Sequence, residues 1–146
     1  MPTDKARRRG RKLAGSRRFE DLVRIMDMLL EEGGCPWDRA QTHSTLLKYL
    51  REEAGEVVRA VRKRDWENLE EELGDLMLQI VFHSALARRS GRFSVGDVIR
   101  TINAKLVRRH PHVFGRKTLS GQAQVLEEWD RIKAREKAAK RKRAAE

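Results

Sequence analysis

Two acidic segments have the residue types and the spacing to hold a metal ion. They are EEAGE at 52–56 and EELGD at 71–75. In each segment two carboxylates stand three residues apart, so a helix would present both on one face about one turn apart. Four carboxylates at one place repel each other, and a hard divalent cation such as Mg²⁺ is the simplest neutraliser. The sequence therefore predicts four metal ligands: Glu53, Glu56, Glu72 and Asp75.

The segments that carry these acids have the apolar periodicity of amphipathic helices. One helix is predicted over about 42–63, and the next over about 65–89 with Asp65 as its N-cap. Glu53 and Glu72 fall at the edges of the apolar arcs of these helices. A carboxylate in such a position costs free energy unless a partner neutralises it. Two adjacent antiparallel helices would bring the two acidic pairs together.

Three further helices are predicted around these two. One begins near Ser16 and ends at Gly33–Gly34, a second runs from Ser94 to just before Pro111, and the last begins near Ser120. The sequence has no strand-like alternation and no repeat of fixed period. We therefore predict an all-α protein, an antiparallel bundle of about five helices with short turns.

The acidic segments also have a simpler interpretation, a solvated face with ion pairs inside one helix. Glu52 or Glu56 would then pair with Arg59 or Lys63. Charge spacing alone leaves both interpretations open, and the edge positions of two of the glutamates favour the metal. A di-iron bundle is disfavoured, because no His follows any of these glutamates at the required spacing of three residues.

The net charge of +11 is concentrated at the two ends of the chain. Residues 1–18 have eight Lys or Arg and one acid, and 134–146 have six and two, so that 19–133 has 19 of each sign. We predict a disordered basic arm over 1–16, a folded domain over 17–133 and a basic tail over 134–146. Weak, nonspecific contact of these ends with nucleic acid is the less favoured interpretation of their charge.

Two features of the sequence predict the cellular location of the protein, the lone Cys35 and the short length of the apolar runs. One cysteine cannot form an internal disulfide, and none of the apolar runs approaches the roughly 20 residues that cross a membrane. No apolar region follows the N-terminal arm, so we expect no secretory signal. These features favour a cytoplasmic protein without a membrane partner.

The order of several uncommon motifs resembles the MazG family of all-α nucleoside triphosphate pyrophosphohydrolases. EEAGE followed by ELGD is similar to the E-E-x-x-E…E-x-x-D signature of that superfamily. The flanking segments resemble MazG more closely, and the resemblance covers roughly 19–137. These segments are GGCPWDRAQTHSTLLKYLREEAGEV, EELGDLMLQIVFHSALARRSGRF, INAKLVRRHPHVFG and EEWDRIKAREK.

The resemblance implies an activity and a role for each candidate residue. The activity would be Mg²⁺-dependent cleavage of nucleoside triphosphates between the α- and β-phosphates, with Mn²⁺ as a substitute metal and nucleotide-pool cleansing as the purpose. Glu53, Glu56, Glu72 and Asp75 would hold the metal, and Glu52 would orient a metal-bound water. Lys105, Arg109, Trp129 and Lys133 would contact the substrate, and the chain would assemble as a homodimer or homotetramer.

Other interpretations remain open at this point. Without the resemblance, the three cations would be ordinary solvated charges and Trp129 a core residue. A relative that acts on one special nucleotide, such as dUTP, dCTP or phosphoribosyl-ATP, is an alternative enzyme. A non-enzymatic basic helical protein that binds nucleic acid is the alternative from another class, and the neutrality of 19–133 argues against it.

Overall fold

The computed structural model describes residues 4–146, and its regular structure there is entirely helical. No helix in this part of the chain is both long and apolar enough to span a membrane. The chain divides into two compact units, and the division along the sequence falls between Val95 and Gly96. The helices are α1 (Asp4–Ala14), α2 (Phe19–Leu30), α3 (Pro36–Arg39), α4 (His43–Lys63), α5 (Trp66–Arg89), α6 (Val95–Arg109), α7 (Pro111–Phe114) and α8 (Gln122–Ala145).

Local capping explains where α4 and α5 begin and end. The hydroxyl of Thr42 accepts a hydrogen bond from the backbone N–H of Thr45, and the Thr45 hydroxyl closes the reciprocal bond. Arg64 ends α4 in the left-handed conformation, with φ of 55°, and Asp65 then caps α5 by accepting from the N–H of Asn68. Because only these two residues join the helices, α4 and α5 pack as antiparallel neighbours.

The core of the first unit lies among α2, α4 and α5. Each helix contributes apolar side chains at helical spacing, and burying them holds α2 against α5. A salt bridge at the edge of this core joins Arg88 of α5 to Asp27 of α2 at 2.6 Å. The buried core residues are Met26, Leu30, Leu46, Val81, Phe82 and Ala85.

The second unit consists of most of α6, with α7 and α8. Pro111 ends α6 and stands at the first position of the short helix α7. Within this unit Arg108 and Arg109, at the end of α6, form salt bridges with Glu136 of α8. Ile132 and Glu128 are the buried residues of α8.

The all-α prediction and the five predicted helices are confirmed, and the N-cap at Asp65 is the one expected. Two short helices, α3 and α7, were not predicted, because four-residue helices show no apolar period. The predicted disordered arm over 1–16 differs from the structure, since α1 occupies Asp4–Ala14; its Ala, Arg, Lys and Leu residues favour helix although none is buried. Similarly, α8 extends through most of the predicted basic tail. The division into domains stays a prediction.

Candidate active site

The first unit brings three of the four predicted metal ligands together. Glu53 comes from α4, and Glu72 and Asp75 come from α5. One carboxylate oxygen of each lies within 4.8 Å of the others, and all three side chains are half-buried. We call these three residues the acidic cluster. The tight α4–α5 connection positions it, because antiparallel packing sets the two acidic segments side by side.

The electrostatics of the acidic cluster favour a bound cation. Burial first, and then the negative charges of Asp75 and Glu72, raise the pKa of Glu53 above its ordinary value. A cation held by the three oxygens would relieve this repulsion. The donors are all hard carboxylate oxygens, the ligand type that Mg²⁺ and Mn²⁺ accept. The residues present therefore fit a divalent cation of this class.

The fourth predicted ligand, Glu56, is engaged elsewhere. Its carboxylate accepts hydrogen bonds from the guanidinium of Arg59 one turn along α4, and this pairing lowers the pKa of Glu56. The ion pair between Glu56 and Arg59, one of those that the simpler interpretation predicted, is therefore present on the same helix as Glu53 of the acidic cluster. The predicted catalytic residue Glu52 is exposed, and its charge is close enough to contribute to the raised pKa of Glu53.

The predicted substrate contacts lie in the second unit. Lys105, Arg109 and Lys133 line one cleft of about 1130 Å³ between α6 and α8, which we call the basic cleft. The fourth, Trp129, does not line it. The ring of Trp129 stands edge-on to His110 at a centroid distance of 5.2 Å, and its buried indole N–H has no hydrogen-bond partner within 4–146.

The carboxylate of Glu136, which was not predicted to be a functional residue, holds Arg109 in a fixed orientation. Glu136 accepts from Nη2 of Arg109 at 2.8 Å and from Nε of Arg108 at 2.7 Å. These two guanidinium partners, Arg109 first, lower the pKa of Glu136 to about 2. Because Glu136 uses the Nε and Nη2 edge of Arg109, the Nη1 edge keeps donors for a phosphate oxygen.

The family model for the MazG nucleotide pyrophosphohydrolase domain matches residues 41–114. The chain belongs to the MazG family. The matched range includes all of α4, α5 and α6, and therefore the acidic cluster, Lys105 and Arg109. The resemblance seen in the sequence motifs is confirmed.

Several proteins named nucleoside triphosphate pyrophosphohydrolase are similar to this MazG-family chain. A nucleoside triphosphate pyrophosphohydrolase/pyrophosphatase MazG from Thermotoga maritima is 48% identical over 123 residues, which are 84% of this chain and 47% of that protein. A nucleoside triphosphate pyrophosphohydrolase from Escherichia coli K12 is 41% identical over 128 residues, 87% of this chain and 49% of that protein. The chain thus spans about half the length of these curated relatives.

A solved structure agrees with the fold. The crystal structure of a mazG-related protein from Thermotoga maritima superposes with a TM-score of 0.67 at 32% identity. The superposition covers 79% of this chain and 98% of that one. The all-α architecture of the MazG-family chain is therefore shared with an experimentally solved relative.

Three side-chain pairings in this MazG-family chain were not predicted from the sequence. Glu136 lies 27 residues from Arg109, beyond the predicted folded domain over 17–133. Glu128 is almost fully buried and accepts a hydrogen bond from Lys117 at 2.6 Å, which lowers its pKa. His83 of α5 contacts His43 of α4 across 40 residues of chain. No local sequence signal marks any of these pairings.

Proposed function

We propose that this protein is a Mg²⁺-dependent nucleoside triphosphate pyrophosphohydrolase. It would cleave a nucleoside triphosphate, ribo or deoxy, between the α- and β-phosphates to a nucleoside monophosphate and pyrophosphate. The observation that carries the proposal is the acidic cluster, formed by the acids of the two signature segments in a chain of the MazG family. The names of the relatives support the same activity.

The acidic residues of the first unit have two roles in this reaction, metal binding and orientation of the water. Glu53, Glu72 and Asp75 would hold the cation, and Glu56, which is paired with Arg59 in this structure, would be the fourth ligand. A bound Mg²⁺ or Mn²⁺ supplies charge neutralisation to the phosphate oxygens and makes a water molecule more acidic. Glu52, exposed beside Glu53, accepts a hydrogen bond from the attacking water and orients it.

The cations of the second unit bind the phosphates. Lys105 and Lys133 act as point charges, and Arg109 presents its open guanidinium edge to one phosphate. Trp129 is the proposed contact with the base or the ribose edge of the nucleotide, through stacking of its ring. Base selectivity depends on the shape of this region, so a special nucleotide such as dUTP, dCTP or phosphoribosyl-ATP is the second candidate substrate.

Assembly into a homodimer or homotetramer is part of the proposal. Two helices expose apolar side chains along one face each, a pattern typical of surfaces that become buried between subunits. They are Leu47, Val58 and Val61 on α4, and Leu73, Met77 and Ile80 on α5, each 43–53% exposed. A cytoplasmic location and a role in cleansing the nucleotide pool complete the proposal.

A substrate panel tests the activity. The purified chain is incubated with ribo- and deoxynucleoside triphosphates, dUTP, dCTP and phosphoribosyl-ATP, each with Mg²⁺, with Mn²⁺ and with a chelator. We expect equimolar pyrophosphate and nucleoside monophosphate, and loss of both products with the chelator. Release of orthophosphate instead, or no release from any substrate, would overturn the proposal.

A further inference from the structure

The basic cleft contains more positive charge than a triphosphate needs. Its lining includes nine Lys or Arg residues and two Glu residues. Both acids are already paired: Glu136 with Arg108 and Arg109, and Glu128 with Lys117 and Arg135. Lys133 pairs with Asp130 at 3.7 Å, so four of the nine cations have no carboxylate partner within 4–146, and these attract anions: Lys105, Lys137, Lys140 and Arg143.

The excess charge extends away from the proposed substrate contacts. Lys133, the last of these contacts on α8, is followed along the helix by Lys137, Lys140 and Arg143, which all line the cleft. Ten residues of helix separate Lys133 from Arg143, about 15 Å at 1.5 Å per residue. A triphosphate has its charges at one place, whereas a phosphodiester backbone repeats one charge per nucleotide along such a row.

We propose that the basic cleft binds the backbone of single-stranded nucleic acid, an activity separate from nucleotide hydrolysis. A single strand can enter the cleft and reach Arg109, whose side chain is only 25% exposed. A duplex is a stiff rod that would contact the rim alone. Arg109 and Glu136 would stay paired, while the row on α8 follows the strand.

The lining also indicates how the strand is recognised. The uncharged lining residues are Thr101, Pro111, Ile132 and Ala139, so no aromatic ring in the cleft offers a stacking platform for bases. Recognition of a particular sequence would require side chains placed to form hydrogen bonds with the edges of the bases. Binding therefore depends on phosphate contacts, is independent of sequence and weakens steeply with salt.

The test compares two triple variants of the full chain that remove equal charge. One is Lys137→Gln/Lys140→Gln/Arg143→Gln in the cleft, and the matched control is Arg7→Gln/Arg8→Gln/Arg9→Gln in α1. Anisotropy of a fluorescein-labelled oligothymidylate is measured from about 50 to 200 mM salt, the range over which phosphate contacts are strongly screened. Circular dichroism verifies that both variants keep their helices.

The two variants should behave differently. The cleft variant should lose roughly tenfold or more in affinity, and its log–log salt slope should become shallower by about two, since each lost phosphate contact removes about 0.7. The control should stay within roughly threefold of the parent protein. Equal losses in both variants would show that net charge alone attracts the strand, and would overturn the proposal, as would absence of binding at the lowest salt.

Two further probes distinguish the class of ligand. A duplex with the same number of phosphates should bind more weakly than the single strand. Polyglutamate of matched charge should also bind more weakly, and its affinity should depend less on the α8 row. If polyglutamate binds equally well and loses affinity in the same variant, the cleft is a general anion surface and the proposal fails. Because these measurements use no nucleotide substrate, failure of the proposed hydrolysis leaves their result unchanged.

Discussion

The Nδ1 atoms of His43 and His83 lie 2.8 Å apart, and the two imidazole rings stack with centroids 5.1 Å apart. His43 is the first residue of α4 and His83 lies within α5, so this contact joins the two helices that form the acidic cluster. At this distance one nitrogen donates and the other accepts, so at least one ring must be neutral. Burial, and then the charge of His43, lower the pKa of His83 below its ordinary value.

The histidine pair should make stability fall on mild acidification. A His whose pKa is lower in the folded state contributes fully above its unfolded pKa of about 6.5, and this contribution is lost as pH falls below that value. The free energy of unfolding in urea should therefore decrease from pH 8 to pH 5.5. His83→Phe, which keeps a planar ring and removes the titrating group, should show a smaller decrease. An unchanged pH dependence in that variant would assign the effect to other groups.

Neutralising the acidic cluster should separate activity from stability. Glu53→Gln and Asp75→Asn should each lower kcat by more than the roughly 10–100-fold that loss of an outer-shell metal partner costs. Stability should hold or rise in the metal-free protein, because each variant relieves repulsion in the cluster. Glu71→Gln, an exposed carboxylate on the same helix, is the control and should leave both unchanged. Near-normal turnover in either cluster variant would contradict the metal assignment.

Metal binding should be visible without substrate. At a Mg²⁺ concentration about 100 times its Kd, binding to the folded state adds about 2.7 kcal/mol of stability. A thermal melt should therefore shift upward with MgCl₂ but not with NaCl of the same ionic strength, since general screening would act equally in both salts. Asp75→Asn should lose most of the shift. A shift of parental size in that variant would place the cation elsewhere.

The orientation of Arg109 should matter as well as its charge. Arg109→Lys keeps the charge but loses the forked contact with Glu136, and Arg109→Ala loses both. We expect KM for the nucleotide to rise in both variants, by roughly 10–100-fold in Arg109→Ala, as for a charged hydrogen bond. Arg100→Ala serves as the control, since Arg100 pairs with Asp97 on an exposed part of the same helix. Equal KM values for Arg109→Lys and the parent would mean that charge alone suffices.

The exposed apolar faces of α4 and α5 should mediate assembly. Light scattering at micromolar concentration should report a dimer or a tetramer, and Ile80→Glu should shift the population toward monomer by placing a charge on the face. Val113→Glu introduces the same charge at an exposed apolar residue outside that face, and should leave the mass unchanged. A parent protein that is only monomeric would refute this part of the proposal.

Local sequence patterns determined the helices and the candidate ligands of this protein. Apolar periodicity and caps such as Thr42 and Asp65 act within a few residues, so the bounds of α4 and α5 followed from the sequence almost to the residue. The spacing of Glu72 and Asp75 placed both on one helix face for the same reason. The family resemblance rested on motifs that the sequence contains in order.

Only the tertiary structure decided which of these side chains meet and which pair elsewhere. Glu53 joins Glu72 and Asp75, whereas Glu56, equally well spaced, turns to Arg59. The contacts of Glu136 with Arg109 and of His83 with His43 join residues 27 and 40 positions apart. Such pairings depend on how each helix is rotated about its own axis and on how it packs against its neighbours. Burial of the entire core sets this rotation and packing, and no local spacing does.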